Sequence, residues 1–460
     1  MKKIQFTTRF KRRKLCPSAA PLFAQATTMK WFSVLAVSIG LTASAAFGQA
    51  LPAAEASPIS TGFALPLTAG TLQYALSASE SLYWGYYNTP GIVSSTNFSG
   101  DVAYISSSKR DPFSMVFSGG RSTSTSNQQS YTFLNLSLSQ VLNVGRWNFI
   151  LSDYVSYLPS TSIGSLSGVA GTGNVGIQVG ANTGQGVLTN YSSRVYNTAT
   201  LSVQRQVTGK TSIDGSGSYS IIHFLDNTGS STNSGLDSYS AIGSGGLTHQ
   251  ISPRTSFGGR YSYSVTDFSG PSFGVPESTI TTQVVSGQVT RHVTRKLVVT
   301  ADAGPEWTTA KANSSATNTS LGVFASVGAD YTAQFSESSL NYSRGTNSGY
   351  GVVGGSESDS VNFSYARTFA RVWHGSLTGA FTRTQNLPLP GIAPYNFHTT
   401  VAAAQISRAI ARSLSCYVSY TAETQSTSGS VAGVDVFSGL TQVVSFGLTF
   451  SPTSKHVGHP

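Results

Sequence analysis

Few side chains in this sequence are equipped for chemistry, and their spacing joins none of them into a recognisable constellation. Seven histidines occur: His223, His249, His292, His374, His398, His456 and His459. No HExxH sets two of them one helical turn apart as zinc ligands, and neither a phosphate-binding glycine loop nor a GxSxG nucleophile turn is present. Gly171-Thr-Gly173 lacks the strand-to-helix setting that lets paired glycines approach a phosphate. Of the two cysteines, Cys16 falls in a leader, and Cys416 alone forms neither a disulfide framework nor a cysteine zinc site. His223 lies near Asp226 at an outer strand end, and Asp237 and Asp267 could be nearby. Without a nucleophile beside it, His223 reads as an ordinary rim histidine. The sequence therefore predicts no catalytic residue, no metal site and no cofactor.

Composition explains why such residues are scarce. Only 10% of the 460 residues are charged, against roughly 25% in a typical soluble chain. Gly (47), Ser and Thr fill the gap, while 24 Phe, 21 Tyr and 5 Trp are too many aromatics for a disordered chain. A soluble enzyme of this size needs a charged skin that this chain lacks. The net charge of +10 is misleading, because residues 1–48 hold eight Lys and Arg and no acid. The remainder has 20 basic residues against 18 acidic ones, with no basic stripe of the kind nucleic acid requires.

The positive charge belongs to an export leader. Met29-Lys30 precedes the apolar run Trp31–Gly40 and then small residues up to Ala50, the order of a secretory signal peptide. Residues 29–50 are taken as that signal and 1–28 as an upstream extension, which lies either ahead of a start at Met29 or within a long positively charged beginning of the signal itself. Residues 51–69 are Pro- and Ala-rich and read as a linker.

Residues 70–450 alternate. Phe257, Gly259, Tyr261, Tyr263 and Val265 interleave with Ser256, Gly258, Arg260, Ser262 and Ser264. Leu321, Val323, Ala325, Val327, Ala329 and Tyr331 do the same with Gly322, Phe324, Ser326, Gly328 and Asp330. Successive strand side chains point to opposite faces, so each strand has one greasy and one small, polar face. Eight short turns (106–113, 141–148, 206–213, 250–257, 292–299, 334–341, 368–375 and 409–416) alternate with nine longer Gly/Ser/Asn/Thr-rich segments (86–97, 120–129, 158–193, 225–237, 267–278, 307–319, 345–357, 384–395 and 424–438). That punctuation predicts about 18 antiparallel strands, with 16–20 as the range. Aromatics at the strand ends, among them Phe113, Trp147, Phe257, Phe268, Trp307, Trp373, Tyr395 and Phe397, suit two interfacial girdles.

An exported chain of alternating hairpins with short turns on one side and long loops on the other resembles the porin-like outer-membrane β-barrels of Gram-negative bacteria. The resemblance is architectural, covers about 70–450, and implies a closed antiparallel transmembrane β-barrel with periplasmic turns and external loops. The final strand Val443–Phe450 resembles the signal read by barrel-assembly machinery, except that ten residues follow Phe450. Residues 451–460 are expected to form a polar tail.

The expected function is a wide, weakly selective channel for passive diffusion of small polar solutes. Its lumen-facing candidates are Asp214, Ser216, Ser218, Arg260, Asp302, Ser326 and Asp330. The longest loop, 158–193, contains no charged residue before Arg194 and could fold inward, with Gln178, Asn182 and Gln185 at the constriction. The alternatives are a non-conducting surface-interaction barrel, a barrel component of a polysaccharide or lipid export system, and a soluble β-solenoid. The last predicts stacked coils in place of hairpins.

Overall fold

A computed structural model describes residues 70–85, 91–108, 110–124, 131–158, 194–225, 237–269, 277–312, 316–347, 355–387, 395–428, 438–453 and 455–457. These residues form one antiparallel sheet. Its strands are β1 (Gly70–Trp84), β2 (Ile92–Ser106), β3 (Phe113–Ser124), β4 (Tyr131–Val144), β5 (Trp147–Leu158), β6 (Arg194–Gln206), β7 (Thr211–Phe224), β8 (Asp237–Ser252) and β9 (Thr255–Ser269). They continue as β10 (Ser278–His292), β11 (Leu297–Ala312), β12 (Ala316–Thr332), β13 (Ser336–Asn347), β14 (Ser356–Thr368), β15 (Trp373–Asn386), β16 (Asn396–Ala411), β17 (Leu414–Ser428) and β18 (Gly439–Phe450). Each strand pairs with its neighbours in sequence, as hairpins rather than stacked coils, and β1 pairs with β18 from Leu76↔Phe450 to Trp84↔Gln442. The sheet is thus a closed barrel of eighteen strands. Closure removes the edge that would otherwise leave a row of backbone groups unpaired.

The eight short turns lie where the sequence places them. Among the two-residue turns, Gly145-Arg146 between β4 and β5 needs a positive φ, and Gly145 supplies it at 64°. The opposite connections are shorter than the composition suggests. Only 313–315 separate β11 from β12, where 307–319 reads as a loop, because Thr- and Asn-rich strand ends still pair, as in Thr309↔Thr319. Backbone pairing needs no apolar side chain, so polarity alone overestimates loop length.

The tail also departs from expectation. Lys455–Val457 form a short strand, β19, that pairs with Gly70–Leu72 and extends the seam below Phe450. The start of β1 would otherwise present an open ladder there, and the segment after Pro452 fills it.

Alternation partitions the two faces. Outward positions carry the exposed large apolar residues, including Tyr261, Leu321, Val323, Val327, Phe446 and Leu448. Cys416 shares the outward parity of Val418 and Tyr420. Inward positions carry mostly Ser, Thr and Asn. Trp147 and Trp373 lie at the short-turn ends with Arg205 and Arg408 over their rings at 4.9 Å and 5.2 Å. Such stacks combine cation–π attraction with an amphipathic position. Three expected girdle aromatics depart from this pattern: Phe268, Tyr395 and Phe397 are buried, and Phe268 and Phe397 have inward parity. Tyr395 and Phe397 pack against each other, with ring centroids 5.2 Å apart.

Candidate functional site

The candidate site is the inward wall, built by one parity of each strand. Its commonest feature is a cross-strand hydroxyl pair. Ser216 meets Ser244 at 2.6 Å, Ser240 meets Thr266 at 3.0 Å, and Ser343 meets Ser360 at 2.7 Å. At the seam, Ser77 meets Thr449 at 3.0 Å and Ser81 meets Ser445 at 2.8 Å. Cross-strand hydroxyl pairs tie neighbouring strands together, and each oxygen keeps capacity for water or a polar solute. Asn135 forms a larger node, accepting from Ser156 Oγ at 2.6 Å and Tyr154 OH at 3.2 Å while donating to Ser118 at 3.4 Å.

Asp214, Ser216 and Ser218 lie on the inward face of β7, Arg260 on β9, Asp302 on β11, and Ser326 and Asp330 on β12. The fold joins two of them that are 46 residues apart. Arg260 Nη2 donates to Asp214 Oδ2 at 2.7 Å, spanning the β8 residue Gly246 that is in register with both. A Cβ at Gly246 would stand 3.1 Å from the Asp214 carboxylate oxygens, a tight contact that the missing side chain avoids. On the far side of Arg260, Ser286 hydrogen-bonds Asp302, and the guanidinium lies within electrostatic reach of that carboxylate. Ser326 is in register with Asp302, while Asp330 lies nearer the short turn, opposite Ser339. Gln178, Asn182 and Gln185, the constriction candidates, fall outside the described residues, as does Asp226.

Three buried inward carboxylates escaped the sequence reading: Asp101 on β2, Glu306 on β11 and Glu423 on β17. Strand parity would have found them, since Asp101 follows Ser99, Glu306 follows Asp302 by four, and Glu423 follows Thr421. Glu306 accepts the Thr346 backbone N–H at 2.9 Å and Thr308 Oγ1 at 3.3 Å. Inward exposure is uneven: such side chains are mostly buried on β18, β1 and β2, whereas most on β6–β8 are half-exposed.

Neither a protein-family model nor a curated protein matches this chain. Solved structures do. The siderophore receptor PiuA from Acinetobacter baumannii aligns over 85% of this chain and 82% of its own, at 10% identity and a TM-score of 0.39. Pseudomonas aeruginosa OpdQ aligns over 84% and 99%, at 9% identity and a TM-score of 0.37. P. aeruginosa OccK7 (OpdD) aligns over 84% and 99%, at 10% identity and a TM-score of 0.40.

Three of the histidines make local contacts at strand ends. His223 Nδ1 and Asp237 Oδ2 are 2.6 Å apart, and Asp237 Oδ1 also accepts the Phe224 N–H at 2.8 Å. This clamp faces outward and pins the ends of β7 and β8. Asp267 is engaged by Thr279 Oγ1 at 2.7 Å. His249 and His374 hydrogen-bond Thr211 and Thr368 beside short turns. No group of three or more His, Cys, Asp or Glu suited to a metal occurs among the described residues. A second outward cluster, unforeseen in the sequence, joins Arg344 to Glu357 and to Asp359 (3.2 Å), with Tyr342 OH donating to Asp359 at 3.0 Å.

Proposed function

We propose that the protein is an outer-membrane channel of a Gram-negative bacterium through which small polar solutes diffuse passively. The observation that carries this reading is the division of the closed barrel into an outward apolar belt and an inward wall of hydroxyls and carboxylates. An exposed apolar belt of this extent would not persist on a soluble monomer. Barrels of sixteen or more strands enclose a lumen wide enough for water. The export leader and the assembly-signal strand ending in Phe450 fit insertion through barrel-assembly machinery. The purified protein should conduct in planar bilayers and pass uncharged solutes up to a size limit. A well-folded barrel that never conducts would reject the channel.

One observation favours a second reading, a barrel closed by its own chain that serves as a surface-interaction platform. Inward side chains on β18, β1 and β2 are buried rather than water-exposed. A folded, silent barrel that binds a cell-surface partner through its loops would support it.

A further inference from the structure

We propose that the channel prefers cations and that staggered inward carboxylates select them; this rests on the channel reading above. Strand parity leaves the inward wall with acids in excess. Among the described residues of β1–β18, Asp101, Asp214, Asp302, Glu306, Asp330 and Glu423 have inward parity, joined at the short-turn end of β13 by Glu337. Of the Lys and Arg on these strands, only Arg194 and Arg260 share that parity. The others, such as Arg121, Arg205, Lys311, Arg344 and Arg408, point outward. Arg260 is matched by Asp214 at 2.7 Å, and Arg194 is the first residue of β6, at the outer end. The remaining wall charge is negative.

Glu423 supplies an independent observation, a buried inward carboxyl group for which the described residues of the protein offer no hydrogen-bond partner. It is 2% exposed, and neither carboxylate oxygen has a hydrogen-bond partner. Its in-register neighbour is Thr441, and two residues on, Gln425 Oε1 is already occupied by Thr399 Oγ1 at 3.0 Å. A carboxylate withdrawn from water without donors is costly, and a cation with its residual water supplies both charge and hydrogen bonds. Asp302 Oδ1 likewise lacks a hydrogen-bond partner. The carboxylates are spread in height. Glu306 and Glu423 each stand nine residues beyond the first residue of β11 and β17, while Asp302, Asp101 and Asp330 lie closer to the short turns. A cation could pass from one to the next, and Asp/Glu linings are how cation channels discriminate. The weak selectivity expected from Asp214, Asp302, Asp330 and Arg260 alone omits Asp101, Glu306 and Glu423.

The test is the reversal potential of the full-length exported protein in planar bilayers under an approximately tenfold KCl gradient. Potassium should be preferred over chloride by about threefold or more near 0.1 M salt, and the preference should shrink near 1 M, where the screening length falls to roughly 3 Å. Replacing Glu423→Gln together with Asp302→Asn should lower the preference while single-channel conductance persists. Clear conductance with a reversal potential near zero, or of anion-selective sign, overturns cation selection and leaves the channel standing. A folded barrel without conductance removes the channel reading and this inference with it. If the double variant fails to insert, the sign measured on the parent protein still decides.

Discussion

At the residue scale, parity governs what a substitution does. Val323 is 57% exposed on the outward face of β12, and Ser326, three residues on, faces inward beside Asp302 and Ser343. Val323→Arg should impair insertion, costing about 2–4 kcal/mol if the site lies near mid-membrane, because a guanidinium must leave water for hydrocarbon. Ser326→Arg should insert normally, since it meets water and the Asp302 carboxylate. Equilibrium unfolding in lipid vesicles compares the two, and equal damage would mean that the face assignment is wrong. The Asp214–Arg260 bridge shows a different residue-scale rule. Both side chains are 23% exposed, so the pair is partly screened and contributes modestly to stability. Its main effect is to cancel the one inward arginine in the middle of the wall.

At the element scale, the seam is the most informative contact. β1 and β18 are at opposite ends of the sequence, and Ser77 and Thr449 are in register with their hydroxyls 3.0 Å apart. In a Cys416→Ser background, Ser77→Cys combined with Thr449→Cys should give a disulfide on mild oxidation, read as altered gel migration that a reductant reverses. Ser77→Cys combined with Leu448→Cys should not, because neighbouring strand residues face opposite ways. Orientation belongs to this scale too. An epitope inserted at 231, in the connection between β7 and β8, should be reached by antibody on intact cells. One inserted at 253, in the short turn between β8 and β9, should be silent until cells are opened. The reverse pattern would invert the barrel in the membrane. The β10–β11 ladder illustrates a local departure. Its register skips Val285 and Ser286 against Gly304 and Pro305, because Pro305 has no N–H to give.

At the scale of the whole molecule, the pore is set by barrel size and by whatever narrows it. If the segment 158–193 obstructs the lumen, deleting 165–188 should raise conductance and admit larger solutes without changing ion preference, since the deleted stretch carries no charge. Bilayer recordings with a polyethylene glycol size series provide the readout. Unchanged conductance in an intact barrel would place that segment outside the pore. Cation preference should survive the deletion because its carboxylates sit on β2, β11, β12 and β17, elements held by neighbours on both sides.

The hairpin rhythm, the strand count and the division into a greasy and a polar face were legible in the residues alone, because strand alternation and turn chemistry are local properties of the chain. Cys416 and the face containing Val323 could be placed by parity without coordinates. The inward turn of Phe268 and Phe397 was less legible, because an aromatic beside a loop gives no local sign of which face of its strand it occupies. The true loop lengths were hidden as well, since backbone hydrogen bonds continue through Thr and Asn where hydrophobic contrast has ended. Tertiary structure alone decided the partners: Arg260 finds Asp214 across Gly246, β19 finds the start of β1, and Ser77 finds Thr449 through closure. These contacts join residues separated by 46 to several hundred positions, and register between distant strands, which no local pattern encodes, brings them together.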